Sequence, residues 1–431
     1  MLLLLTACLP RWKDDWAPPR NTDRPPIETG DTGDTGDTSD TGDTDEPCFI
    51  EVSASITADE TWSKGCTYTL TEAVFVEAPA VLGIQPGARI EGVAGSALVV
   101  ARGAGLRAEG SASEPIVFTS AAEAAAPGDW GGVVMLGSGF VNSLGQVPGT
   151  PVEETRLAYG GTEPASGCGT LSYARIEYAG GAAVNATLPA LTLGGCGGAT
   201  VVHDLQIHQS GAAGASVLGG DVDLQRLLVT RPSTTGLEWA EGWTGRAQWL
   251  AVQLDAERGT QGIKGGNLRQ DHDAEPRSLP TLFNVTVVST SDATSRQLAL
   301  VLGEGTGAFA SNLILSGLSA GALDLRDEAQ VRIDASELKF AATLLNDCGP
   351  TGSIFYEKED EGTAQDDDFG LDEKAFMGTQ PGVLAADPGL SDPGNRSAPG
   401  LTPAAGGAAT KGVATPPDDG FFDVTAAYIG A

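Results

Sequence analysis

The stretch that decides the fold is Val81 to Ser120, VLGIQPGARIEGVAGSALVVARGAGLRAEGSASEPIVFTS. Gly87, Gly95, Gly103 and Gly110 cut it into runs of four to six residues, built on Val, Ile, Leu and Ala. Pro86-Gly87 and Glu114-Pro115 are turn dipeptides: proline presets φ, and glycine reaches conformations closed to other residues. Runs this short do not make helices, and gaps this short leave no room for the crossover helices of an open parallel sheet. A solenoid escapes that limit, because each turn of chain stacks directly on the one before. An antiparallel sandwich would need two-residue hairpin turns, which are absent. The sequence therefore predicts an all-β chain, a single-domain right-handed parallel β-helix with its inward stack filled by aliphatic side chains.

Working outward, one short pattern recurs: YARIEY (Tyr173–Tyr178), HDLQIH (His203–His208), LQRLLV (Leu224–Val229), QWLAVQ (Gln248–Gln253), FNVTVV (Phe283–Val288) and SNLILS (Ser311–Ser316). Each is a brief alternating strand between Gly, Ser or Asp turns, at the irregular spacing of solenoid coils with variable loops. Asp204, Asn284 and Asn312 occupy the second position of their copies. At a coil corner such residues accept the left-handed conformation, bond neighbouring backbone and stack as a ladder. In PGDWGGVVMLG (Pro127–Gly137), Trp130 opens a strand after a turn, so it reads as packing over the coil beneath, with Gly131 and Gly132 allowing the bend.

Composition agrees: of 431 residues 59 are Gly and only 6% are aromatic. A net charge of −32 repels nucleic acid and anionic lipid headgroups, and leaves neutral glycans, cationic proteins or divalent cations as partners. Residues 29–43 read TGDTGDTGDTSDTGD, which cannot bury apolar surface and self-repels. They predict a disordered acidic tether over residues 8–46, with the β-helix body from 47 to 431.

At the start, MLLLLTACLP holds Leu5-Thr6-Ala7-Cys8, which resembles the bacterial lipobox. That resemblance implies a signal peptide over residues 1–7, lipid attachment at Cys8, and, with Leu9 rather than Asp following, the outer membrane. The apolar run is shorter than an ordinary signal and lacks a basic flank, as a start codon assigned too late would produce. No other segment is apolar and long enough to span a bilayer. Five cysteines remain. Cys48 with Cys66 and Cys168 with Cys196 are each about one coil apart and are paired on that ground, in a compartment that permits disulfides, leaving Cys348 odd.

Taken together, the coil Val81–Ser120, PGDWGGVVMLG, GTLSYARIEYAG (Gly169–Gly180), LTLGGCGGATVVHDLQIH (Leu191–His208) and the terminal DDGFFDVTAAYIGA (Asp418–Ala431) resemble a family of parallel β-helix surface lipoproteins of myxobacteria and Bacteroidetes. The resemblance implies a Gram-negative cell-surface address and assigns no activity. It also implies two acidic, aromatic segments in consecutive coils. The first, SGAAGASVLGG (Ser210–Gly220), has lost its acids; the second, TTGLEWAEGWTG (Thr234–Gly245), keeps Glu238, Trp239, Glu241 and Trp243. These four are the candidate ligand-binding residues, able to stack a sugar and accept its hydroxyls; alternatively both indoles cap the coil edge beside Trp249 while the acids are solvated.

Catalysis is the weaker expectation. A polysaccharide lyase would draw on Lys264 and Arg269 with Asp271, His272 and Asp273, which read as one loop rather than stacked strands. A hydrolase would need paired carboxylates such as Asp221, Asp223 and Glu238 across a groove. His203 and His208 fall on opposite faces of one strand and cannot share a metal. His272 between two aspartates reads as a polar turn. No metal site and no cofactor is expected. The acidic stretch Glu357–Phe376 reads as an inserted loop or short helix, in which Asp366–Asp368 form a solvated run rather than a calcium site. Pro393–Pro417 should run irregularly along the solenoid, and FFDVTAAYIGA (Phe421–Ala431) should supply an apolar strand over its open end. The expected function is a monomeric, non-catalytic surface module contacting glycans or envelope proteins, with a lyase or hydrolase, or a passive structural coat component, as alternatives.

Overall fold

A computed structural model describes residues 48–289, 294–356 and 368–431. The deciding stretch forms five strands, Val81–Ile84, Arg89–Gly92, Ala97–Val100, Gly105–Glu109 and Ile116–Ser120. None pairs with its neighbour in sequence. Val81–Ile84 lies parallel to Gly105–Glu109, Arg89–Gly92 to Ile116–Ser120, and Ala97–Val100 to both Ala73–Val76 and Val133–Leu136. Each strand thus pairs with the third one on, which is the signature of a chain winding through three faces per coil. This is the parallel β-helix the glycine rhythm predicts.

Face 1 is a nine-stranded sheet running from Ala73–Val76 to Gly321–Leu325. Along its inner side Val74, Leu98, Val133, Leu191, Ala215, Leu237, Ile263, Leu300 and Leu323 are successive register partners, all buried. Burying each larger member of such a stack contributes roughly 1.5–3 kcal/mol, and every coil supplies several. Faces 2 and 3 form one 15-stranded assembly. In the first coils they are separate strands joined by glycine turns. From Gly169–Glu177 onward the turn shrinks to one residue in the left-handed region: Tyr173, Asp204, Arg226, Trp249, Asn284, Asn312 and Ala342, with φ between 46° and 63°. The three Asn/Asp corners expected from sequence are there, and the same corner is also held by residues that resist it. Ordered ladders on both sides impose a conformation costing about 1–2 kcal/mol on an ordinary residue.

The corner amides do not form the expected continuous ladder. They hold the C-terminal segment instead. Asn312 Nδ2 donates to Ala414 O and its Oδ1 accepts from Ala414 N, both at 2.8 Å. Asn284 Nδ2 donates to Tyr428 O at 2.9 Å and Gly430 O at 3.2 Å. Gln248 exchanges hydrogen bonds with the backbone of Asp423 and donates to Asn284 Oδ1. The segment from about 384 onward therefore runs back along the helix as a strap, over the apolar outer side of face 3 at Ala251, Val288, Ile314 and Leu344. Pro393–Pro417 lies along the solenoid as expected.

Phe421–Ala431 departs from expectation: it contains no strand and lies on the flank rather than across the end. A short helix, Glu373–Thr379, caps the end, burying Met377 in the core and setting Phe376 against Phe340. The acidic stretch thus does end in a short helix; residues 357–367 of it, including Asp366 and Asp367, fall outside the described residues, as do Cys8 and the tether.

Trp130 is fully buried over the coil beneath, its Nε1 donating to Glu177 O at 2.9 Å. A Cβ at Gly92 would strike the indole, and Gly132 has φ 120°. Both expected disulfides form: Cys48–Cys66 links register partners on face 3, and Cys168–Cys196 links neighbouring coils. Cys348 is a buried thiol whose desolvation pushes its pKa up to about 11.

Candidate functional site

Alternation along each strand of face 1 leaves one central residue pointing out between two pointing in. Stacking places those residues in a row: Val134, Thr192, Ser216, Glu238, Lys264, Val301 and Asp324 are successive register partners. Two insertions cover the beginning of this outer surface. Residues 137–168, between face 1 and face 2, bring Val147, Leu157 and Tyr159 onto Phe75, Val99, Val134 and Leu136. The hairpin Ala182–Ala183/Ala186–Thr187 brings Ala183 and Leu188 onto the same cluster.

Where that cover stops, a groove opens. It encloses about 230 Å³ between Val147 and Pro148 of the first insertion, Leu188 and Pro189 beside the hairpin, and a floor of Thr192, Ser216 and Glu238. Thr192 is 1% exposed, Ser216 2%, Glu238 half-buried and Lys264 exposed, so the floor rises from a closed end to an open mouth. Burial holds the Glu238 carboxyl above the ordinary glutamate range, against the opposing pull of a hydrogen bond from Ser216 and the charge of Lys264. Thr192 Oγ1 is buried with no hydrogen-bond partner among the described residues. A buried hydroxyl without a partner carries a desolvation cost and is where an incoming hydroxyl or carbonyl gains most.

The four residues expected to bind together are separated by this geometry. Glu238 faces the groove. Trp239, 2% exposed, points into the helix, where its Nε1 donates to Thr306 Oγ1 at 3.0 Å and a Cβ on Gly265 would strike its ring. Trp243 is fully buried, donating to Val222 O, with ring centroids 5.8 Å from Trp239. Neither indole offers a face to a sugar; both are core. Glu241 anchors the first insertion, accepting hydrogen bonds from Tyr159 OH at 2.6 Å and from Ser143 Oγ. That burial beside a carboxylate drives the Tyr159 pKa well above the usual phenol value.

The catalytic candidates scatter likewise. Lys264 is on strand Gln261–Gly265, stacked directly on Glu238, which corrects its expected place in a loop. Arg269, Asp271, His272 and Asp273 do share a loop, lining a cavity of about 420 Å³ at the corner between faces 1 and 2. Its charges are largely paired. His272 Nδ1 meets Glu328 Oε2 at 2.6 Å, and Asp273 takes Arg277 and Arg332. Partial burial lowers the His272 pKa, but the hydrogen bond to Glu328, with the Glu328, Asp327 and Glu304 charges, outweighs it and raises the value. Asp223 is committed to Arg246, which also reaches Asp419 of the strap, and Asp221 sits beside it, so neither faces Glu238 across a groove. His203 bonds Asp204 while His208 bonds Thr230 and Gln209, so the two histidines share no partner. Among the described residues no group of three or more His, Cys, Asp or Glu is placed to hold a metal.

Thr192 and Ser216 escaped the sequence reading. Their signal is faint: each is the lone polar residue in an apolar four-residue strand, LTLG and ASVL. A family model for a pectate-lyase-like β-helix domain matches residues 54–380, ending where the strap begins. No curated protein and no solved structure matches the chain.

Proposed function

We propose, for a chain that belongs to the pectate-lyase-like β-helix family, the role of a glycan-binding module displayed on the surface of a Gram-negative outer membrane. The observation that carries the binding role is the half-covered groove on face 1, where Thr192, Ser216 and Glu238 present hydroxyl and carboxyl groups between the apolar walls of Val147, Pro148, Leu188 and Pro189. Apolar walls with a few convergent polar groups are the usual makeup of a small-molecule site. The display role is supported by sequence: the lipobox-like LTAC ending at Cys8, then the Asp-rich spacer that would hold the body away from the membrane. The Cys48–Cys66 disulfide fastens the first described strand, where a tether would enter.

A lyase or hydrolase acting in the same groove is the second reading. It is favoured by a cation, Lys264, stacked on a carboxyl, Glu238, whose pKa is raised by burial, since proton transfer at neutral pH asks for groups tuned in this way. A glycan array with the full chain tests the first reading, and ultraviolet absorbance for unsaturated products together with a reducing-end assay tests the second. Binding without products supports the module. Products abolished by both Glu238→Gln and Lys264→Met support the enzyme. Neither binding nor products leaves a structural coat component.

A further inference from the structure

The groove is closed at one end along the helix axis. Beyond Thr192 the outer surface of face 1 is packed shut by Val134, Leu136, Val147, Leu157 and Leu188, all buried in one cluster. A polymer lying along the helix axis cannot run on past Thr192, so in that direction it can place only an end in the groove. About 230 Å³ is below the roughly 300–1,000 Å³ of sites that enclose a whole drug-sized ligand, so it suits a single ring. The floor carries a carboxyl and hydroxyls, and Lys264, stacked on Glu238, stands exposed on the mouth side. A carboxylate ligand would have to pass the Glu238 carboxyl to reach the closed end, where no Lys, Arg or His is among the groove's lining residues to compensate its charge.

Resting on the glycan-binding reading, we infer that the groove is an end-recognition site that takes the terminal ring of an uncharged glycan, with the Thr192 hydroxyl at its closed end receiving a hydroxyl of that ring. Thr192 is the discriminating residue, because its Oγ1 has no partner among the described residues and its removal breaks no hydrogen bond to them.

The test is calorimetric titration of the full chain with neutral linear hexasaccharides of xylose, glucose and mannose. Each is compared with two derivatives, one reduced to the alditol and one carrying a benzyl ether on a hydroxyl of the non-reducing ring, and oligogalacturonate serves as the charged probe. The expected result is that at least one neutral hexamer binds, that one of its two end modifications weakens binding more than tenfold while the other does not, and that oligogalacturonate binds more weakly than that hexamer. Thr192→Val should weaken binding two- to tenfold, the range for one hydrogen bond, with the melting temperature unchanged or raised. Indifference to both end modifications, or tighter binding of oligogalacturonate, overturns the inference and leaves glycan binding standing. Loss of binding in Thr192→Val only together with a lowered melting temperature overturns the assigned role of Thr192. If no probe binds, the glycan-binding reading and this inference both fail.

Discussion

Replacing Asn284 separates two roles that one buried corner side chain combines. Its amide donates to Tyr428 O and Gly430 O and accepts from Gln248 Nε2, while its backbone sits at φ 54°. Three hydrogen bonds at a net ~0.5–1.5 kcal/mol each put the cost of removing the amide at about 2–4 kcal/mol. Asn284→Ala adds the left-handed strain of a Cβ, about 1–2 kcal/mol. Asn284→Gly avoids that strain and loses roughly 0.5–1 kcal/mol to chain entropy instead. Glycine should therefore be the milder substitution by about 0.5–1 kcal/mol, the reverse of the ordinary order inside a strand. Because the amide's contacts are mostly to the strap, the damage should be local. The amides of Ile429, Gly430 and Ala431 donate to Ala409 O, Asn312 O and Thr286 Oγ1, so their hydrogen exchange reports strap opening. A loss of about 3 kcal/mol raises that exchange roughly a hundredfold, with Val133–Leu136 in the core unaffected. Unchanged exchange in the strap, or greater opening in Asn284→Gly than in Asn284→Ala, would refute the reasoning.

Three further outcomes are expected. Trp243→Ala should lower stability by about 3–5 kcal/mol in denaturant unfolding, as truncation of a packed core indole does; unaltered stability with lost glycan binding would return Trp243 to the surface. Glu238→Gln should grow more stable relative to the native chain as pH rises from 4 to 8. Burial raises the folded-state pKa, so the native chain is most stable while the carboxyl is protonated and loses stability as pH climbs through that value; midpoints that stay parallel across pH contradict it. The peptide carrying Cys348 should resist iodoacetamide at pH 8 until the chain is denatured, because the thiol is buried and titrates at about 11; labelling of the native chain would show otherwise.

The strand rhythm between Val81 and Ser120 and the disulfide partners one coil apart could be read directly, because strand pattern and coil spacing are local properties. The strap was half-visible. FNVTVV and SNLILS carry apolar residues on both sides of the strand, at Val288 and Ile314 as well as at the inward positions, and a solenoid side that is apolar outside must be covered. The terminal segment reads from sequence as a cover for the open end, whereas it covers the flank, since nothing local says that Gln248, Asn284 and Asn312 aim their amides at it.

What the sequence alone determined is the architecture and the corners at Asp204, Asn284 and Asn312. Glycine, asparagine and alternating aliphatics act on their nearest neighbours, and a solenoid is made of near-neighbour choices repeated. Only the tertiary structure decided which way each strand faces and which residues stand side by side. A shift of one residue exchanges inside for outside, so Trp239 and Glu238, adjacent in the chain, end in the core and in the groove. Thr192, Ser216, Glu238 and Lys264 become neighbours because loops of unequal length bring successive coils into register, and that alignment is set by packing across the stack rather than by spacing along the chain.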